Sequence, residues 1–236
     1  MSAQAVTEHV YVVKTGDGAV FLIVQPDGLT LIDAGFPGTA GLLEEAAHAM
    51  GRRLKDIHDV LMTHCHPDHA GGLAEIQRAT GAKVWMHRDD AALIRTGECW
   101  RPFEVAPGEE NRTFFDQVIP HAPKTIEPVL VDEELLSGQE IPVAGGVKAL
   151  GTPGHSLGHL VFLWPGDGGV VFMGDAARNV DDLVLSPIYE DLAEGVRSLS
   201  MLGGQEFEVA CFAHGEPIIG SAAELLRRRW PEGSTA

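Results

Sequence analysis

The segment Thr63-His64-Cys65-His66-Pro67-Asp68-His69-Ala70-Gly71-Gly72 places four cation-binding side chains within six positions, directly after the apolar run Asp59-Val60-Leu61-Met62. His64 and His66 stand two apart, so in an extended segment both side chains point to the same side. Asp68 and His69 follow Pro67, where the chain is turning into a helix, and can aim at a second point. Gly71 and Gly72 carry no Cβ bulk and let the backbone pass close to the site. One histidine here would read as a satisfied polar loop; HxHxDH behind a buried strand reads as a metal site.

Three further residues repeat the placement. Residues 147–150 run into Thr152-Pro153-Gly154-His155, residues 170–173 into Gly174-Asp175, and residues 209–212 into Ala213-His214-Gly215. Taken singly, each is explained by a capping Asp or a turn His. Together, four strand ends presenting imidazole or carboxylate suggest one convergent cleft. These donors suit divalent zinc, iron or manganese, and the lack of thiolate clusters argues against a structural zinc or an iron–sulfur centre. Seven ligands exceed what one tetrahedral ion uses and fit two ions sharing a bridge.

The elements that must position them follow from hydrophobic pattern. Residues 10–13, 19–24 and 29–32 read as strands separated by Gly16-Asp17-Gly18 and Pro26-Asp27-Gly28 turns, an antiparallel meander. Residues 39–50 form a helical stripe stopped by Gly51, residues 57–62 a buried strand, residues 69 or 70 to 79 a helix ended by Gly81, and residues 84–86 a short strand. The stretch 88–128 is the least regular and holds Trp100, Phe103, Phe114 and Phe115; it is either a lid or binding loop or a local helical insert packing its own aromatics. Strand signals return at 125–131, 139–141, 147–150, 160–164, 170–173 and 209–212, with helices at 189–202 and 221–229. The layering expected is two sheets face to face with helices outside. One domain over residues 1–236 is expected, in two αβ halves of about 1–130 and 131–236, with 88–128 as a possible lid insert.

At these motifs the chain resembles a known family. THCHPDHAGG resembles the HxHxDH signature of the metallo-β-lactamase superfamily, and TPGHSLGH, FMGDA and FAHGE resemble its later metal motifs in the same order. The resemblance spans about residues 6 to 225. It implies an α/β (α+β) fold, a four-layer αββα sandwich with the site at one sheet edge. It implies that His64, His66 and His155 hold a first metal, that Asp68, His69 and His214 hold a second, and that Asp175 bridges them. Asp33, in Leu31-Ile32-Asp33-Ala34-Gly35, resembles the Asp that supports the site from behind.

The resemblance divides over substrate. Antibiotic-cleaving members of zinc subclass one carry Cys where Asp175 stands. Thioesterases of the glyoxalase II type and persulfide dioxygenases follow the bridge with Gly-Cys-Gly-Arg or Gly-Arg-Thr, whereas this chain reads Asp175-Ala176-Ala177-Arg178-Asn179-Val180. Lactonases place a Tyr three residues past the bridge; here that residue is Arg178, and Tyr189, the nearest tyrosine, is either its substitute or a core residue. The HxExD motif of flavodiiron members is missing, as are the RNA-binding domains and basic surface of nuclease members.

The expectation is therefore a hydrolase of ester, lactone or thioester bonds. Two divalent ions, zinc first with iron or manganese as alternatives, would yield a bridging hydroxide, and Asp68 or Asp175 would pass its proton to the leaving group. The alternatives are a mononuclear iron oxygenase of the persulfide dioxygenase type, a weak or promiscuous β-lactamase or phosphodiesterase, and a non-catalytic binder. A net charge of −17 speaks against nucleic acid. The expected partner is a small-molecule substrate, with no membrane and a homodimer left open. Three scattered cysteines and no secretion signal point to the cytoplasm, so the sequon Asn111-Arg112-Thr113 is read as chance. Cys65, alternating with the ligands, is expected to be a buried thiol, and His159 to pack or hydrogen-bond nearby. His9, His48, His58, His87 and His121 are read as ordinary.

Overall fold

A computed structural model describes residues 3–234; residues 1, 2, 235 and 236 of the expected domain lie outside the described residues. The chain builds two large sheets and two small two-stranded ones. In the first, the strand order is Gln4–Ala5, Val10–Lys14, Ala19–Gln25, Gly28–Ile32, Ile57–Met62, Lys83–His87 and Glu133–Leu135. The first four are antiparallel, and the last three join in parallel. In the second, the order is Ile218–Ile219, Val209–Cys211, Val170–Phe172, Leu160–Trp164, Val147–Gly151 and Glu140–Ile141, with one parallel pair, Val170–Phe172 beside Val209–Cys211.

Alternation decides which side chains meet. Phe21, Ile23 and Leu61 face inward from the first sheet and pack on Phe162, Phe172 and Cys211 of the second, with the Phe21 and Phe172 rings 5.6 Å apart. The intervening Leu22, Leu31 and Val60 face outward onto helices α1 (Thr39–Ala49) and α3 (Leu73–Thr80), between which lies the four-residue helix α2 (Pro67–Ala70). On the far side Val161, Val171 and Ala210 pack on α6 (Leu192–Leu202) and α7 (Ala222–Arg229). The strands at the middle of each sheet are buried on both faces and so read as continuous apolar runs. The result is the four-layer αββα sandwich.

Two expectations are corrected in detail. Residues 125–131 are not a strand beyond one bridge at Thr125. Pro128 has no N–H to give a ladder, and Val129 donates instead to Ile94 O in α4 (Arg88–Ile94). Glu133–Leu135 closes the first sheet beside Lys83–His87. Asp132 exchanges bonds with Val84, its amide donating to the carbonyl and its carboxylate accepting the Val84 N–H at 2.9 Å, which draws Glu133–Leu135 into the first sheet. Helix α6 begins at Leu192, behind an Asp191 cap that accepts from Glu194 N–H at 2.9 Å. Ile188–Tyr189 is a strand paired with Glu104–Val105. The stretch 88–128 carries α4 and α5 (Glu109–Gln117), so it is a partly helical insert. Among the described residues no helix is long and apolar enough to cross a membrane.

Candidate metal centre

Parallel pairing brings the strand ends together. Gly28–Ile32 and Ile57–Met62 run the same way, so Asp33 and Thr63 emerge side by side, and Asp175 and His214 likewise follow the parallel pair of the second sheet. Crevices beyond the carboxyl ends of parallel strands are where α/β folds place ligands. His66 is held extended (φ −63°, ψ 154°) by Pro67, which then opens α2 as its first residue. That switch from extended to helical backbone sends Asp68 and His69 toward a second point. A Cβ on Gly72 would lie 2.4 Å from Ala34 O, so the glycine lets α2 and α3 close onto the loop carrying Asp33.

At this edge two groups of donors form, each with its ligand atoms within 4.8 Å of one another: His64, His66 and His155, and Asp68, His69, Asp175 and His214. All seven residues singled out in the sequence are brought together. In the first group His155 Nε2 lies 3.2 Å from His64 Nε2 and 2.9 Å from His66 Nδ1. The hydrogen-bond network assigns the tautomers. His155 Nδ1 donates to Ile188 O at 2.9 Å, which leaves Nε2 a lone pair. The single Thr63 hydroxyl proton goes to the Asp33 carboxylate, so Thr63 Oγ1 accepts from His64 Nδ1 at 3.0 Å and His64 Nε2 is also a lone pair. Buried lone pairs facing one another this closely repel unless a cation lies between them. Nitrogens held at about 2.0–2.1 Å around a tetrahedral zinc would stand roughly 3.3 Å apart, close to what is seen.

The second group is built likewise. His69 Nδ1 donates to Asp33 Oδ2 at 2.9 Å and His214 Nδ1 to Asp17 O at 3.1 Å, so both Nε2 atoms aim at the carboxylates. His69 Nε2 lies 3.2 Å from Asp175 Oδ1, and His214 Nε2 lies 3.2 Å from Asp68 Oδ2 and 3.4 Å from Asp175 Oδ1. Asp175 Oδ2 turns the other way, 3.5 Å from His155 Nε2. Asp175 thus offers one oxygen to each group. His69 Nε2 and Asp175 Oδ1 are buried without a hydrogen-bond partner, as is His66 Nε2 on a ring stacked 4.4 Å from Trp100. Orphaned donors and acceptors in so polar a pocket fit a bound cation.

The charges divide along the same line. Burial, reinforced by neighbouring imidazoles, holds His64 and His66 well below the ordinary histidine value. Burial lowers His214 too, but the Asp175 charge and the Asp68 hydrogen bond outweigh it and raise it to about 9. His69 is raised against burial by Asp68, Asp175 and Asp33. Burial opposes ionisation of Asp68, yet His69 and His214 keep it well below the carboxylate range.

The supporting shell was only partly foreseen. Asp33, in a left-handed conformation (φ 61°), orients Thr63 and His69 together. His159 accepts the Asp175 N–H on Nε2 at 3.1 Å while its Nδ1 meets Thr152 Oγ1 at 2.8 Å. Asp90, fully buried at the start of α4, was not singled out in the sequence, where it lies in the irregular stretch 88–128. It accepts from Cys65 N–H, Ser156 Oγ, Gly158 N–H and Arg101 Nη1, tying both loops that carry the first group. Cys65 is a buried thiol, pushed up by burial and the nearby Asp90. Tyr189 is fully buried and does not line the cavity: its hydroxyl donates to Ala176 O and accepts from Ser186 N–H.

A cavity of about 380 Å³ opens over both groups. His66, Asp68, His155, Asp175 and His214 meet it on one side; Phe36, Trp100, Phe114, Val118 and Ile119 form an apolar wall, with His121 and Arg178 alongside. The insert 88–128 supplies most of that wall.

Comparison with known proteins agrees with this geometry. The family model described as metallo-beta-lactamase superfamily matches residues 13–214. The chain is 27% identical to a Bacillus subtilis protein named as a probable metallo-hydrolase, YflN, over 83% of this chain and 78% of that protein. It is 31% identical to the hydroxyacylglutathione hydrolase of Methylococcus capsulatus, over 85% of this chain and 62% of the relative. A solved metallo-beta-lactamase of Cronobacter sakazakii superposes with a TM-score of 0.68 at 26% identity, covering 91% of this chain and 81% of the other.

Proposed function

The chain belongs to the metallo-beta-lactamase superfamily, and on that premise we propose that it hydrolyses ester, lactone or thioester bonds with two divalent cations, zinc first, held by the two groups of donors. The observation that carries this reading is Asp175, which turns one oxygen to the His64/His66/His155 group and the other to the Asp68/His69/His214 group. Cations bound there would make a water nucleophilic near neutral pH and polarise the acyl oxygen.

The protein's own groups do the rest. Asp68 is the most open of the seven donor side chains at 26% exposure and borders the cavity. His69 and His214 keep it ionised, the state in which it can accept the nucleophile's proton and deliver it to the leaving group. Asp33 and His159 fix the rings and the backbone around this point. The apolar wall from 88–128 seats an apolar body and keeps bulk water from the reacting bond. The name of the Methylococcus capsulatus relative denotes an acyl hydrolysis, which supports acyl bonds as the target here.

The test is a panel of chromogenic esters, lactones, thioesters, phosphodiesters and a cephalosporin, run before and after chelator treatment. We expect turnover of one acyl class, lost on chelation and restored by zinc. Turnover confined to phosphodiesters or the cephalosporin, indifference to chelation, or oxygen uptake without hydrolysis would each overturn it.

A further inference from the structure

Four of the five donor imidazoles have their outward ring nitrogen tied by a hydrogen bond. His64 Nδ1 donates to Thr63 Oγ1 at 3.0 Å and His155 Nδ1 to Ile188 O at 2.9 Å. His69 Nδ1 donates to Asp33 Oδ2 at 2.9 Å and His214 Nδ1 to Asp17 O at 3.1 Å. Such bonds fix the ring orientation and tautomer of metal-binding histidines. His66 differs. It turns Nδ1 toward the first group, 2.9 Å from His155 Nε2, and its remote Nε2 is buried with no hydrogen-bond partner among the described residues. The His64 and His155 rings meet it edge-on, but both belong to the same group of donors. The one other ring against it is Trp100, whose plane lies 29° from that of His66 with the centroids 4.4 Å apart.

We propose that Trp100 is the positioning residue of His66: its indole takes the place of the missing hydrogen bond and holds the first group of donors ready for its cation. This deepens the two-cation reading above and rests on it. An offset stack of two flat rings resists the side-chain rotation that would turn Nδ1 away from the group. The indole is itself pinned. Its Nε1 donates to Pro123 O at 2.8 Å. Cys99, just before it, accepts the Cys65 thiol on its carbonyl at 3.7 Å, so the residues beside Trp100 and His66 also meet. Arg101, just after it, is paired with Asp90 and Glu190. The second group is oriented by Asp33 and the Asp17 carbonyl, both outside the insert 88–128. Loss of the indole should therefore weaken one cation and not the other. Trp100 also lines the cavity, so the side chain that holds His66 is one that substrate touches.

Zinc affinity is measured by competition with a chromogenic chelator in two backgrounds. His214→Ala leaves only the first group complete, and His155→Ala only the second. Trp100→Leu keeps an apolar side chain at the position but removes the ring. We expect it to lower affinity by roughly tenfold or more in the His214→Ala background, the usual worth of a group that orients a metal ligand, and to leave the His155→Ala background unchanged. Trp100→Phe, which can still stack, should restore most of the loss. Circular dichroism of the metal-free proteins checks the fold, and Trp100→Met is the second variant should the leucine protein not fold. Equal weakening in both backgrounds would show a general packing role and overturn the proposal, as would an unchanged affinity in the His214→Ala background or a failure of Trp100→Phe to rescue. Absence of zinc binding in the wild-type protein would overturn this proposal and the two-cation reading together. If no ester, lactone or thioester is hydrolysed yet the selective loss is seen, the hydrolase reading fails and this one stands.

Discussion

Asp33 shows how one carboxylate sets the protonation of its neighbours. By accepting the Thr63 hydroxyl and the His69 Nδ1–H it leaves His64 Nε2 and His69 Nε2 facing the two groups of donors. His159 does the corresponding task for Asp175 by accepting its N–H. His159→Leu would strand that buried amide, and we expect a roughly 10- to 100-fold loss of metal affinity, read by competition with a chromogenic chelator; an unchanged affinity would remove His159 from the supporting shell. The raised histidines make a second prediction. Metal binding needs neutral imidazole. In metal-free protein His214 sits near 9 and His69 is also raised, so below that pH a proton occupies each ring that a cation must displace. Affinity at the Asp68/His69/His214 group should climb with pH toward about 9 and then level off. His64 and His66 are already neutral at pH 7, so the first group should load with little pH dependence above it. Equal pH slopes for the two would contradict this division. The seven donors were legible in the sequence because they cluster at strand ends. His159 was legible as a neighbour, but its acceptor role was not, since only the fold brings its ring to the Asp175 backbone.

The elements carry the site by where they end. Parallel pairs in each sheet deliver Asp33, Thr63, Asp175 and His214 to one edge, and α4 clamps the remaining loops through Asp90. Asp90→Ala would leave the Arg101 cation short of its buried partner and free the Cys65 and Gly158 amides. Breaking a buried pair costs about 3–5 kcal/mol, and at this chain length each kcal/mol moves Tm by roughly 2–4 °C. A drop of roughly 6 °C or more by calorimetry is expected, with Asp90→Asn milder. A change within a degree or two would show that the clamp is dispensable. The long apolar strands and the amphipathic helices could be read from hydrophobic period. Two-residue strands such as Glu104–Val105 carry too short a pattern, and 125–131 misled because valines at 129 and 131 are buried by α4 rather than by a ladder. Asp90 escaped notice because the stretch 88–128 shows no regular pattern and its four partners lie between 11 and 68 positions away.

At the scale of the molecule, two sheets pressed together place residues from both halves of the chain around one cavity, and the insert 88–128 closes it with aromatic side chains. The layering was readable from the order of strands and helices. The cavity was not, because it depends on how Trp100 and Phe114 fold back over the sheet edge. The central claim is that this edge holds two cations with Asp175 between them. The most direct measurement is anomalous diffraction at the zinc edge from crystals grown with zinc. Two peaks are predicted, one within bonding distance of His64, His66 and His155 and one of Asp68, His69 and His214, with an Asp175 oxygen reaching each. No peak at this edge, or a single peak with Asp175 turned away, would contradict the account.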